Sequence, residues 1–158
     1  MTQHEQQTVA ASDLPERGQP LAGGTFVTRY WLNGVERALV LMPDELSGPW
    51  GEYGVKIDGA DSYSDGEANT RAMAETGSAI AVKALELSGF IPSCLEGQLL
   101  MAAKADGLVT LNEERFHWLS TQRSAYGAYT MVFEAGWLDI IDEYVERLAR
   151  PVRSLPIQ

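Results

Sequence analysis

Cysteine and histidine are scarce in this chain of 158 residues. It contains one cysteine, Cys94, and two histidines, His4 and His117. A single cysteine cannot form an internal disulfide, and these three residues do not match the ligand spacing of a structural zinc site. The counts therefore favour neither a redox protein nor a zinc-stabilised one, and we expect no cofactor.

Long apolar segments are also missing from the sequence. Apolar runs are only a few residues long, as at 39–42, whereas a membrane-spanning helix needs about 20. Residues 1–7 are polar and have neither the basic start nor the apolar stretch of a secretion signal. We expect a protein that does not insert into a membrane and that is made in the cytoplasm.

Basic residues are outnumbered by acidic ones. Twelve Lys and Arg stand against 22 Asp and Glu, so the formal net charge is −10. Such a charge repels the phosphate backbone unless the basic residues gather on one face. We therefore expect no nucleic-acid partner.

A β-hairpin is the clearest local signal in the sequence. Residues 25–32 and 35–42 are rich in aromatic and β-branched side chains, and only Asn33 and Gly34 separate them. Both of these residues tolerate the positive φ of a type I′ turn. The folded domain is expected to begin just before this hairpin and to cover residues 23–158. Residues 1–22, which are polar and contain two prolines, are predicted to be an arm that is flexible or ordered by a partner.

Two helices are predicted after a long irregular loop. Residues 43–65 are rich in glycine and acidic side chains, which predicts a loop with at most a short strand at 53–57. The second helix begins at Ser93, where Glu96 completes a capping box, and ends at Gly107. Its buried stripe is predicted to be Leu95, Leu99 and Ala102, and that of the first helix to be Met73, Gly77, Ile80, Ala84 and Leu87.

The last third of the chain changes to a strand pattern. Apolar and polar residues alternate or cluster at 116–120, 126–134, 137–141 and 147–155, with turn residues between them. The order is a hairpin, two helices and an antiparallel β-meander. This order predicts an α+β fold with the helices packed beside a largely antiparallel sheet.

Short motifs in this C-terminal part resemble a known family. They are Phe-Ile-Pro-Ser at 90–93, Trp-Leu-Ser-Thr at 118–121, Phe-Glu-Ala-Gly at 133–136 and Ala-Arg-Pro-Val-Arg at 149–153. The segment resembles a domain family of unknown function with a C-type-lectin-like fold, common in bacteriophage genomes, and is similar to the terminal domain of collagen-like bacterial adhesins. The resemblance implies core positions at Trp118 and Phe133 and structural roles for Arg150 and Arg153.

The resemblance also implies a function without catalysis. It suggests a phage virion protein, a head-decoration or fibre component, that contacts other virion proteins or copies of itself. A module that binds a host receptor, protein or glycan is the first alternative, and a small enzyme or an inhibitor of host defence is the second. The Glu-Pro-Asn and Trp-Asn-Asp motifs of calcium-dependent sugar binding do not occur in the sequence.

Two groups of carboxylates are candidates for a cation site or for acid–base chemistry. The spacing in the first does not match an EF-hand loop, which favours a solvated loop over a cation site. The second could supply a general acid and base only if burial raised one pKa, so a charged turn between strands is favoured. We expect no metal at either group; the first is Asp58, Asp61, Asp65 and Glu67, and the second is Asp139, Asp142, Glu143 and Glu146.

Nucleophilic catalysis has little support in the sequence. Cys94 would lie at the start of a helix, and His117 would lie on a strand beside Trp118, with Ser120 and Ser124 as further nucleophile candidates. No candidate has an assignable base and orienting group. The sequence therefore predicts no catalytic residue.

Aromatic residues in the long loop are the best binding candidates. Loops carry binding function more often than core elements, and large rings anchor interfaces. Trp50, Tyr53 and Tyr63 are therefore predicted to be exposed and to contact a partner or a sugar.

Overall fold

Two β-sheets and three α-helices make up the fold in a computed structural model that describes residues 7–158. One sheet has the strand order β1-β2-β3-β9 and the other has the order β4-β8-β5-β6-β7. Neighbouring strands are antiparallel except at the contact between β5 and β8. The predicted α+β class is confirmed. The strands are β1 (Pro20–Leu21), β2 (Gly24–Leu32), β3 (Val35–Leu41), β4 (Leu46–Gly48), β5 (Phe116–Gln122), β6 (Gly127–Val132), β7 (Trp137–Asp142), β8 (Arg147–Ala149) and β9 (Val152–Pro156), and the helices are α1 (Gly66–Glu75), α2 (Ala79–Glu86) and α3 (Cys94–Ala105).

The predicted hairpin is present as β2 and β3. Leu32 pairs with Val35 across the turn, and the turn residues Asn33 and Gly34 have φ values of 50° and 77°. These positive values are those that a type I′ turn requires. On its other side β3 pairs with β9, so the C-terminal strand joins the N-terminal hairpin in one sheet.

The prediction of one continuous helix after the long loop is wrong, because the chain forms two helices there, α1 and α2. Gly77 has a φ of 93°, which ends α1, and its N–H bonds to the carbonyl of Ala74. The predicted apolar positions Met73, Ile80 and Ala84 are nevertheless buried in one cluster. The prediction is wrong for Gly77, which is exposed at the turn between the helices, and Leu87 is only half-buried. The two short helices therefore bury part of the face that a continuous helix was expected to bury.

The capping box at the start of α3 is confirmed. The Ser93 side chain accepts a hydrogen bond from the Glu96 N–H, and the Glu96 carboxylate accepts one from the Ser93 N–H. The predicted buried stripe is wrong by about one position, because Leu95 and Leu99 are half-buried and Ala102 is exposed. The residues that α3 buries are Cys94, Glu96, Gly97, Leu100 and Ala103.

Strand predictions fail at two places. Residues 53–57 form no strand, and the short strand of the long loop is β4 instead. The segment predicted as one strand at 147–155 is two strands in different sheets, β8 and β9. Pro151 lies between them and has no N–H to donate to a strand ladder, which favours the break. The meander of β5, β6 and β7 is confirmed.

The predicted arm is wrong for the part that the structure describes. Val9 is buried and forms a bridge with Ile157, and β1 pairs with β2. Arg17 donates through Nε to the carbonyl of Val27 at 2.8 Å. These contacts place residues 9–21 on the first sheet of the same chain, while residues 1–6 of the predicted arm lie outside the described residues.

The core contains the two aromatic side chains that the motifs predicted. Trp118 and Phe133 are almost completely buried, and Trp118 donates through its indole N–H to the carbonyl of Gly48 at 3.0 Å.

None of the helices in residues 7–158 has the length and apolar character needed to cross a bilayer.

Candidate functional site

Three tyrosines from three separate segments meet at one end of the second sheet. The Tyr53 ring lies between the other two, with centroids 5.3 Å from Tyr126 and 5.2 Å from Tyr144. The interplanar angles are 55° and 78°. The exposed fractions are 49%, 57% and 60%, so each ring presents about half of its surface to solvent. We call Tyr53, Tyr126 and Tyr144 the tyrosine surface.

Backbone hydrogen bonds next to each tyrosine hold the three segments together. Gly54 donates its N–H to the carbonyl of Ala125 at 2.7 Å, which joins the long loop to the turn between β5 and β6. Glu143 donates its N–H to the carbonyl of Tyr126 at 3.2 Å and accepts from the Trp50 N–H at 2.9 Å. The rings are therefore attached to a fixed backbone framework.

The side chain of Glu143 is buried beneath this framework. Its Oε1 accepts a hydrogen bond from Nε2 of Gln122 at 2.9 Å, and Gln122 also bonds to the N–H of Ile57 and the carbonyl of Val55. Oε2 of Glu143 has no hydrogen-bond partner within residues 7–158. Desolvation raises the pKa of Glu143 to about 7.

The prediction of a solvated acidic turn is thus wrong for Glu143. Both of its backbone groups are engaged, by Tyr126 and Trp50, and this arrangement turns the side chain inward. The other three members of the predicted patch, Asp139, Asp142 and Glu146, are exposed as expected.

Trp50 is also misplaced by the sequence-based prediction, because it is fully buried. Its indole N–H donates to the carbonyl of Leu119 at 3.0 Å, and its own carbonyl accepts from the Ser78 hydroxyl at 2.7 Å. Polar partners for the ring nitrogen let a large aromatic side chain enter the core. Trp50 anchors the long loop and presents no ring to a partner.

The other two predicted binding residues are exposed but lie apart from each other. Tyr53 belongs to the tyrosine surface, whereas the carbonyl of Tyr63 accepts from the N–H of Leu95 beside the start of α3. Sequence reasoning did not assign binding roles to Tyr126 and Tyr144. Each occupies a turn between strands, and a large ring in a polar turn is a signal that could have identified them.

The edge strand β7 exposes further apolar side chains. Trp137 is 75% exposed and Ile140 is 46% exposed. The backbone N–H of Ile140 donates to Oδ1 of Asp139 at 2.8 Å. A side-chain carboxylate on an edge N–H is one way in which a protein discourages another strand from pairing there.

The predicted acidic loop is dispersed over several local contacts. Asp61 pairs with Lys56 at 3.3 Å, Glu67 pairs with Arg71 at 2.9 Å, and Oδ1 of Asp65 accepts from the Ala68 N–H at the start of α1. Asp58 is exposed. Within the described part of the chain, no three His, Cys, Asp or Glu side chains are grouped as metal ligands would be.

Cys94 and His117 are both buried. Burial raises the pKa of the Cys94 thiol, which keeps it in the less reactive protonated form. Desolvation lowers the pKa of His117 to about 4, and its ring packs edge-on against Phe133 at 4.9 Å between centroids. Nδ1 of His117 lies 3.0 Å from the carbonyl of Arg115, while Nε2 has no hydrogen-bond partner among the described residues.

The C-terminal arginines bind backbone carbonyls. Arg150 donates to the carbonyls of Asp44 and Met42, and Arg153 donates to those of Ser88 and Leu87. Both guanidinium groups are therefore engaged by main-chain carbonyls of the same chain. The guanidinium of Arg147 lies 5.7 Å from the centroid of the Phe116 ring.

A second buried glutamate, Glu96, joins α3 to the first sheet. Oε1 accepts from the N–H groups of Ser93 and Gly66, both at 3.0 Å, and Oε2 accepts from the Tyr30 hydroxyl at 2.6 Å. The Tyr30 oxygen also lies 2.7 Å from Oγ of Ser154. Because Tyr30 has one hydroxyl proton, it donates to Glu96 and accepts from Ser154. Burial raises the pKa of Glu96, and its three donors act in the opposite direction.

A cleft of about 510 Å³ opens where α1, the end of α2 and β9 meet. Its charged lining residues already have partners in the chain. Arg71 pairs with Glu67, and Arg153 binds the carbonyls that follow α2. The cleft therefore offers few unengaged charged groups to a ligand.

The chain matches none of the protein-family models and none of the curated proteins with which it was compared.

Proposed function

We propose that this chain is a non-enzymatic binding module that docks on a neighbouring protein through the tyrosine surface. The observation that carries this proposal is the contact between three half-exposed rings from three different segments. Tyrosine is enriched in protein interfaces because its rigid ring covers a large area at a small cost in side-chain entropy.

The framework under the rings supports the same proposal. A binding residue gains affinity when it is already held in its bound conformation. Backbone bonds at Gly54 and Glu143 and the buried Trp50 side chain hold the segments that carry the three tyrosines. A partner would therefore meet an ordered surface.

A protein partner fits the geometry better than a flat sugar ring. A sugar ring stacks on one flat aromatic face, whereas these rings are inclined to one another by 55° and 78°. An uneven apolar surface suits interdigitation with protein side chains. The glycan-binding alternative requires one ring to act alone.

The chemistry of the candidate nucleophile and base supports a binding role over an enzymatic one. A nucleophile needs an activated form and an oriented base. Burial raises the pKa of the Cys94 thiol and keeps it protonated, and among residues 7–158 neither ring nitrogen of His117 is hydrogen-bonded to a nucleophile.

The biological setting that we propose is a phage virion. Its support is the resemblance of the motifs at 90–93, 118–121, 133–136 and 149–153 to a phage-associated domain family with a C-type-lectin-like fold. The α+β architecture, in which the C-terminal strand β9 pairs with the N-terminal hairpin, is compatible with that fold. The neighbouring protein would then be another virion protein or a copy of this chain.

Site-specific photo-crosslinking in the native host tests this proposal. A benzoylphenylalanine placed at position 126 or 144 should form an adduct with one defined protein, and the adduct should sediment with phage particles. The same residue at position 31 is the matched control, because Trp31 is 65% exposed and lies in the first sheet. The Tyr53→Ala, Tyr126→Ala double variant should lose particle association, whereas Cys94→Ala should retain it.

Three outcomes would contradict the proposal at different levels. Identical adducts from positions 126 and 31 would mean that the tyrosine surface is not the docking site. A specific adduct that stays out of the particle fraction would refute the virion setting and leave the docking surface in place. Loss of function in a folded Cys94→Ala variant, with the tyrosine variant unaffected, would favour the enzyme alternative.

A further inference from the structure

The tyrosine surface lies in a negatively charged environment. Partial desolvation and, next in size, the carboxylate of Asp142 raise the pKa of Tyr53. Asp142 is the register partner of Gly127, the residue that follows Tyr126, and Glu52 and Glu146 lie in the same segments as Tyr53 and Tyr144. The basic residues of these segments are Lys56, which pairs with Asp61, and Arg123. The whole chain carries a net charge of −10. Rings and carboxylates are therefore close together at this end of the second sheet.

The faces of aromatic rings attract cations. The ring quadrupole places negative potential on each face, and a nearby carboxylate adds to it. In the described part of the chain, no arginine or lysine stacks on Tyr53, Tyr126 or Tyr144, and the arginine that does stack on a ring is Arg147, on Phe116. The outer faces of the three tyrosines are thus open to a cation from another molecule.

We propose that the tyrosine surface binds an arginine-bearing segment of the partner protein. This inference rests on the proposed docking function and specifies the chemistry of the partner. Arginine fits better than lysine because its planar guanidinium is weakly hydrated, stacks on aromatic faces and donates two parallel hydrogen bonds to a carboxylate such as Asp142. Charge complementarity argues against a second copy of this chain, which carries the same carboxylates beside its tyrosine surface and the same net charge of −10.

A titration with matched peptides tests the inference. The probes are a short, end-capped peptide of repeated Arg-Gly-Ser and its twin with citrulline, which is the uncharged isostere of arginine. Binding is followed by the NMR signals of the tyrosine rings of the full chain. We expect the arginine peptide to bind about fivefold or more tightly than the citrulline peptide at low salt, and the difference to shrink at about 0.5 M salt.

Tyrosine variants separate stacking from general attraction to an acidic protein. Tyr126→Leu should reduce the preference for arginine about threefold, whereas Tyr126→Phe keeps the ring and should preserve it. Tyr63→Leu, a change in an exposed tyrosine beside α3, should leave it unchanged. Urea midpoints close to that of the wild type show that each variant is folded.

Two results would overturn the inference. The first is an arginine preference that is the same in Tyr126→Leu as in the wild type, because long-range charge would then explain it. The second is the absence of ring perturbation by the arginine peptide up to about 10 mM, a concentration at which even weak contacts of a few kcal/mol are populated. Neither result affects the crosslinks at positions 126 and 144, which test the docking function separately.

Discussion

Glu96 and Glu143 are two fully buried glutamates, one against each sheet, and their hydrogen bonding differs sharply. Both oxygens of Glu96 are bonded, and the three donors lie in β2, at the first residue of α1 and at the N-cap of α3. Glu143 has one bonded oxygen, and the other has no partner in residues 7–158. A buried carboxylate is costly unless its lone pairs are satisfied. Loss of the Glu96 side chain would therefore leave three donors without an acceptor, whereas Glu143 carries an uncompensated cost beside the tyrosine surface.

The difference separates the first sheet from the second, which carries the surface proposed for docking. The first sheet is pinned by the Glu96 network and by contacts of residues 9–21. The second sheet carries the exposed tyrosine rings and the buried carboxylate of Glu143, one oxygen of which has no hydrogen-bond partner among residues 7–158. Natural proteins often accept such local costs where a surface serves binding.

Removal of the Glu96 carboxylate, which is fully hydrogen-bonded, is expected to have the largest effect on the free energy of unfolding. Glu96→Ala should lower the free energy of unfolding by about 4 kcal/mol, because the Tyr30 hydroxyl and two N–H groups lose their acceptor and a cavity forms. Urea unfolding measures this loss. Glu96→Gln, which keeps the volume and an acceptor, should cost about half as much. An unchanged midpoint for Glu96→Ala would contradict the structural role of the network.

The cost at Glu143 should appear as a pH dependence. Its pKa is raised from 4.5 to about 7 in the folded state, so the folded chain binds this proton more tightly than the unfolded chain. The free energy of unfolding is therefore highest below pH 4.5 and falls by roughly 2–3 kcal/mol as the pH rises to about 7. Glu143→Gln should remove this loss.

Urea midpoints of the wild type and Glu143→Gln near pH 5 and pH 8 provide the measurement. The difference between the two proteins cancels the contributions of other groups, including Glu96. We expect the variant to gain stability relative to the wild type at the higher pH. Parallel pH profiles would mean that Glu143 is not desolvated as described.

His117 should produce a pH dependence of the opposite sign. Its pKa is lowered from 6.5 to about 4 in the folded state, so stability is lost as the pH falls from 6.5 towards 4. His117→Leu removes the titrating group and should reduce the loss of unfolding free energy at acid pH by about 2 kcal/mol. Thermal or urea unfolding near pH 4.5 and pH 7 checks the effect. If the variant lost as much unfolding free energy between pH 7 and pH 4.5 as the wild type, this result would contradict the burial of a neutral His117.

An exposed carboxylate completes the comparison with the smallest expected effect. Asp61 pairs with Lys56 at the surface, where a salt bridge contributes little. Asp61→Ala should change the free energy of unfolding by less than about 0.5 kcal/mol, as measured by the urea midpoint. A loss as large as that of Glu96→Ala would show that the acidic loop has a structural role after all.

Local signals predicted those elements whose cause is local. The turn at Asn33 and Gly34 and the capping box at Ser93 are confirmed because a few adjacent residues satisfy their backbone requirements by themselves. Periodicity identified the buried face of Met73, Ile80 and Ala84 but not the break at Gly77, because one glycine in an alanine-rich segment is compatible with either one helix or two.

The candidate site depended on contacts between residues far apart in the chain. Tyr53, Tyr126 and Tyr144 come from a loop and two turns, and nothing in their spacing indicates that their rings touch. Loop position suggested exposure for Trp50, but the Leu119 carbonyl, 69 residues away, gives its indole N–H a buried partner. Inward placement of Glu143 likewise follows from bonds to Tyr126 and Trp50.

The sequence by itself determined the α+β class, the hairpin, the start of α3 and the buried aromatic pair Trp118 and Phe133. The hairpin, the start of α3 and the fold class follow from turn chemistry, capping and apolar patterning, which act over a few residues, whereas the aromatic pair is implied by the resemblance of the C-terminal motifs to a known family. Only the tertiary structure decided which loop rings are exposed, which carboxylates are buried and where residues 9–21 lie. The physical reason is that burial and hydrogen-bond satisfaction depend on the distant segments that fold against a residue.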